Sequence, residues 1–100
     1  MALSSSRLLA SGAITITSTA QTLEDMGIDA DSINLADIAM ITVESPCRFT
    51  LNGDDPTASV GHYLDGQVDR EFPGKSLVKY IKIIRIGGSD IAGYITLARI

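Results

Sequence analysis

Tryptophan is absent from this 100-residue chain, cysteine and histidine occur once each, and there are only 3 prolines and 5 aromatic residues. Each shortage closes a route. Cys47 has no partner for an intramolecular disulfide, and a zinc centre would need more Cys or His than exist here. Cys47 is expected to be a small buried apolar residue. A jelly-roll metal centre needs several histidines on neighbouring strands, which His62 alone cannot supply. No apolar run approaches the roughly 20 residues needed to cross a bilayer. The stretch Met1–Gly12 lacks a basic start followed by a long apolar run, so it does not read as a signal peptide. The expectation is a protein made and kept in a cytosolic compartment, or in something assembled there, with no membrane contact.

Positive charge is also in short supply. Eight Lys and Arg against twelve Asp and Glu give a formal charge of −4. An acidic domain gains nothing from releasing phosphate counterions, so no nucleic-acid partner is expected. Lys75, Lys79, Lys82 and Arg85 lie close together in sequence. On a strand Lys79 and Arg85 would share one face, and a solvated strand edge is the favoured reading.

What is abundant is isoleucine and threonine, β-branched residues that suit a pleated surface. Ala13–Thr17 alternates apolar and polar, the pattern of a half-buried strand. Thr22–Gly27 offers a capping Thr, acids and a Gly stop, and predicts one short helical turn. Ile38–Val43 is apolar on both faces and predicts a central or doubly covered strand. Cys47–Leu51 alternates again and runs into the turn signal Asn52-Gly53. Val60–Leu64 predicts a short strand, and Gln67–Phe72 a brief pairing. Val78–Ile86 and Ile91–Ile100 flank Gly87–Asp90 and predict a terminal β-hairpin. The fold class expected is all-β: a small antiparallel β-sandwich, jelly-roll-like, with at most one short helical turn. Residues 1–11 are expected to form a flexible N-terminal arm, and 12–100 a single β-sandwich domain.

The search for chemistry returns no catalytic, cofactor-binding or metal residues. Pairing His62 with an arbitrary Ser and Asp does not make a triad. Asp54 with Asp55, and Asp65 with Asp69, fall in turn contexts where Asp bonds its own backbone. Asp29–Asn34 resembles the start of a calcium loop, but Ile33, Asn34 and Met40 stand where that loop needs a ligand, a Gly and a Glu. Gly87-Gly88 lacks a following helix to cradle phosphate. His62 is expected to be structural, hydrogen-bonded near the Pro56-Thr57 loop. No enzyme activity and no cofactor are expected.

One feature points outward. On the predicted hairpin Tyr80, Ile84 and Ile86 lie on one face with Ile81 and Ile83 on the other, and Ile91 and Ile95 oppose Tyr94 and Ile100. The outer face of a small monomer's hairpin should be polar. A neighbouring subunit and an internal loop are equally good covers for it.

Arg48-Phe-Thr-Leu-Asn-Gly53, Pro56-Thr-Ala-Ser59 and Gly61-His62, with Arg85 and Tyr94 in the late strands, resemble small proteins encoded among the virion structural genes of tailed bacteriophages. The resemblance covers residues 38–98. It implies a virion protein assembled in the host cytoplasm, a capsid decoration (cement) protein that stabilises the phage head. Its partners would be a homo-oligomer (trimer or dimer) and the major capsid protein or other virion proteins. A head–tail connector, neck or tail component is the alternative. A further one is a carbohydrate- or host-protein-binding module using loops 52–59 and 87–90. The arm at 1–11 could pair with a neighbour's sheet edge.

Overall fold

A computed structural model describes residues 7–100. Seven strands form two antiparallel sheets. Their order in the chain is β1 (Arg7–Ile16), helix α1 (Ala30–Leu35), β2 (Ile38–Val43), β3 (Cys47–Thr50), β4 (His62–Leu64), β5 (Arg70–Pro73), helix α2 (Lys75–Tyr80), β6 (Lys82–Arg85) and β7 (Ile91–Arg99). One sheet runs β1-β7-β2-β5, the other β4-β3-β6. The all-β sandwich expected from composition is the architecture found.

The core follows from period-2 alternation. From the four-stranded sheet Ile14, Ile16, Ala39, Ile41, Val43, Phe72, Ile91, Ile95 and Leu97 face inward and are buried; Cys47, Phe49, Leu64 and Ile83 meet them from the other sheet. Phe72 meets the Phe49 ring edge-on, with centroids 5.2 Å apart. Gly93 sits between Ile14 and Val43 in register. A Cβ there would lie 2.9 Å from Thr42 O and 3.1 Å from Ile14 Cγ1, so only glycine lets the strands close.

The predicted terminal hairpin does not form. β6 pairs with β3, while β7 pairs with β1 and β2 in the opposite sheet. Gly87–Asp90 therefore carries the chain between sheets, and the inward-facing Ile83 and Ile95 line the core from opposite sides. The first three residues of that hairpin's first strand, Val78–Tyr80, are helical. Gly74 at φ +112 turns the chain into α2, where Val78 N–H donates to Gly74 O and Ile81 N–H to Leu77 O. The single helical turn expected at Thr22–Gly27 forms: Thr22 Oγ1 accepts from Asp25 N–H, Asp25 Oδ2 accepts from Thr22 N–H, Met26 N–H donates to Thr22 O, and Gly27 at φ +97 stops it. The helix starts just beyond it, capped by Asp29, whose carboxylate accepts from Ser32 N–H. Two six-residue helices form in addition to that turn, where at most one short helical turn was expected.

β1 begins at Arg7, inside the segment assigned to a flexible arm. Arg7–Ser11 is paired with Thr96–Arg99, with an irregularity at Leu9 that turns its side chain to the core. The rest of that arm lies outside the described residues. β2 is central between β7 and β5, as its doubly apolar pattern predicts.

Candidate functional site

The block from Arg48 to His62 builds a loop after β3. Asn52 Oδ1 accepts from Asp54 N–H and its Nδ2 donates to Asp54 Oδ2, folding the chain back after β3. Thr50 Oγ1 donates to Asp54 O. Pro56 is buried, and Thr57 and Val60 exchange backbone hydrogen bonds while Thr57 Oγ1 accepts from Ser59 and Val60. Gly61 then passes at φ +130 so close to β3 that a Cβ would lie 3.0 Å from Phe49 O and 3.2 Å from Pro56 Cβ. These residues are needed where they stand for backbone reasons. His62 is exposed, and its ring leans on Phe49 with centroids 5.2 Å apart; no hydrogen bond ties it to Pro56-Thr57. Packing on Phe49 is what orients the ring.

The four basic residues do not gather into a patch. Lys75 and Lys79 belong to α2 and Lys82 and Arg85 to β6, so the shared strand face expected for Lys79 and Arg85 does not exist. Lys75 pairs with Asp37 at 3.3 Å, Lys82 with Asp55 at 2.8 Å and Arg85 with Asp90 at 2.8 Å. Lys79 lies over the Tyr80 ring. The Asp55 carboxylate raises the pKa of Lys82. Cys47 is fully buried in the core, and burial pushes its thiol up to about 12. Among the described residues no three His, Cys, Asp or Glu converge as a metal-binding group.

Two clefts flank the loops named in the sequence. One, about 560 Å³, is bordered by Asp54, Asp55 and His62. The other, about 510 Å³, lies beside Gly87–Asp90 and includes Glu44, Pro46, Arg48 and Tyr63. Tyr63 is 49% exposed, with the Arg48 guanidinium 5.3 Å from its ring centre. The loop sequences hold no aromatic residue, but β4 supplies one to the second cleft, which only the fold could reveal.

The remaining feature is a surface. On the outer face of the four-stranded sheet, pairing sets Leu8 beside the buried Ala98 and Ile38, Ser11 beside Thr96 and Met40, Ala13 beside Tyr94 and Thr42, and Thr15 beside Ala92. Towards β5 the face ends in charge, with Glu71 beside Met40 and Asp69 accepting from Thr42 Oγ1. Across β1, β7 and β2 this face bears no charged side chain between the Arg7–Arg99 pair and Glu44. Leu8 is 64% exposed and Tyr94 53%, and Ile100, just past β7, is 73% exposed. Of the residues expected on the second hairpin face, Tyr94 and Ile100 are exposed on or beside this sheet. Tyr80 is exposed on α2, and Ile84 and Ile86 are half-buried.

No family model matches this chain, and neither a curated protein nor a solved structure does.

Proposed function

We propose that this chain is a structural component of a tailed-phage particle, a decoration protein that strengthens the head through contacts with its own copies and with the major capsid protein. The observation that carries this reading is the uncharged outer face of β1, β7 and β2, with Leu8, Tyr94 and Ile100 open to water. A soluble sandwich normally presents a charged, polar outer face; this one mixes Ser and Thr with exposed Leu8, Tyr94 and Ile100, which suits a surface covered by other protein. The resemblance of residues 38–98 to virion proteins supplies the setting. On a lattice many modest contacts of this kind add up to firm attachment.

The test is to purify the particles of the phage that encodes the chain, quantify it by mass spectrometry and locate it by electron microscopy. A copy number in proportion to the major capsid protein, on the head surface, is expected. A single small ring at the head–tail junction would instead make it a neck component. Absence from the particle would sink both.

A second reading has one observation in its favour. Tyr63, with Arg48 against its ring and Glu44 beside it, gives the cleft at Gly87–Asp90 a stacking surface and polar groups, the elements of a carbohydrate site. A glycan array would show binding that Tyr63→Ala removes; an array with no signal ends this reading.

A further inference from the structure

We infer that the open edge of β1 docks against β1 of a second copy, antiparallel, about a twofold axis at Ala13. This rests on the reading of the chain as an assembling protein and specifies one of its surfaces.

A sheet edge is a row of unpaired backbone groups, and folded proteins usually blunt it with charge, proline, brevity or a covering segment. Three of the four edges here are treated in these ways. β5 carries Arg70 and Glu71 and ends at Pro73. β4 is only three residues long. β6 is covered by the Thr17–Gln21 segment: Ile83 N–H donates to Gln21 O, Gln21 N–H to Ile83 O, and Arg85 N–H to Thr17 O. β1 is ten residues long, with no proline and a single charge, Arg7, at its start. Among the described residues no backbone hydrogen bond reaches its outer side. A cleft of about 290 Å³ separates Ala10–Ala13 from the nearby Gly27–Asp29 loop.

The direction of each β1 peptide group follows from the register. Glu44 N–H donates to Ala92 O at 2.9 Å, so even-numbered β7 residues turn their backbone groups to β2 and odd-numbered ones to β1. The β1 partners of Ile91, Gly93, Ile95 and Leu97 are Ile16, Ile14, Gly12 and Ala10. Ser11, Ala13 and Thr15 therefore aim N–H and C=O at the open edge. An antiparallel copy placed with Ala13 opposite Ala13 sets Ser11 against Thr15 in both directions, and each such pair exchanges two hydrogen bonds.

Side chains and charge favour the same alignment. Ser11, Ala13 and Thr15 are small and lie on the uncharged outer face, so nothing bulky blocks the approach. A parallel alignment would set the two Arg7 side by side, whereas the antiparallel one sends them to opposite ends. The outer faces then join, with Ala13 and Tyr94 of each copy in one row across the seam. An isologous contact of this kind closes on itself as a dimer.

Light scattering across a concentration series, with amide hydrogen exchange on the full chain, tests this. A dimer is expected, with Ser11, Ala13 and Thr15 amides protected like those of Gly12 and Ile14. Ala13→Pro deletes an edge-facing N–H while touching no bond to β7, and should weaken self-association by about tenfold or more while the circular dichroism is unchanged. Should that variant fail to fold, the double variant Ser11→Lys and Thr15→Lys sets like charges across the seam and should have the same effect. A monomer at every concentration, or a trimer, overturns the proposal. So does a dimer that the folded variants leave intact, although self-association would then survive through another surface. Incorporation into particles is read separately, so loss of the β1 seam and loss of the virion role are distinguishable.

Discussion

Cys47 lies at the meeting of the two sheets, fully buried, with its thiol held neutral by desolvation. A thiol reagent should therefore leave the native protein unlabelled at neutral pH and label it on denaturation, which mass spectrometry would follow. The raised pKa also fixes a pH dependence: the folded state holds this proton more tightly than the unfolded chain. The contribution is complete below pH 9.0 and is lost as pH rises towards about 12, so the melting temperature should fall across that window. Cys47→Ser would bury a hydroxyl among Phe49, Leu64 and their neighbours and should cost about 1–3 kcal/mol in urea denaturation. Gly93 is the second position where one atom decides the outcome. Gly93→Ala drives a methyl group against the Thr42 carbonyl and Ile14, and a loss of about 1–3 kcal/mol is expected from the same measurement.

At the scale of elements, α1 is the piece most dependent on one side chain. Asp29 accepts from Ser32 N–H and Oγ, and six residues provide little helix stability on their own. Asp29→Ala should cost about 1 kcal/mol by thermal or chemical denaturation, with Ile33 losing its firm seat in the core. The same carboxylate shows what could be read from sequence. The calcium motif fails on its spacing, and the structure gives Asp29 a capping role instead. The strand at Ile38–Val43 was legible because a run apolar on both faces suits a central position, and Cys47–Leu51 because its alternation and the Asn52-Gly53 turn agree with its burial. Lys75–Tyr80 was not, because Val78–Ile86 reads as one β-branched run that hides the helical i, i+1, i+4 spacing of Leu77, Val78 and Ile81, and the Gly74 turn that directs the helix is a tertiary choice. The Gly87–Asp90 loop misled for a related reason. A short Gly-rich link between Ile-rich runs suits a hairpin, and only the partners β3, β1 and β2 reveal that it crosses between sheets. The candidate surface was half legible: surplus apolar residues were visible, but which of them shared a face depended on that crossing.

At the scale of the whole molecule, Asp37 joins segments that are far apart in the chain. Its N–H donates to Ala98 O, its C=O accepts from Gly74 N–H, and its carboxylate accepts from Ile100 N–H while pairing with Lys75. The Ile100 bond and the Lys75 charge hold the Asp37 carboxyl below its ordinary value of 3.8. A depressed folded pKa means the stabilisation is present above 3.8 and is lost as pH falls through the folded value. Asp37→Asn should be less stable than the parent at neutral pH, and the two melting curves should converge in acid. Because the pair is exposed, added salt should narrow the difference at neutral pH.

The position of β7 sets a schedule for synthesis. It fills the gap between β1 and β2, yet it follows both in the chain. At roughly 5–20 residues per second, β1 emerges from the ribosome several seconds before the strand that will hold it. Until then its isoleucines lack the strand that buries them, so nascent chains stalled before Ile91 are the form most exposed to clumping and to proteases. Slowing translation ahead of Ile91 should lower soluble yield relative to the same chain translated without the pause.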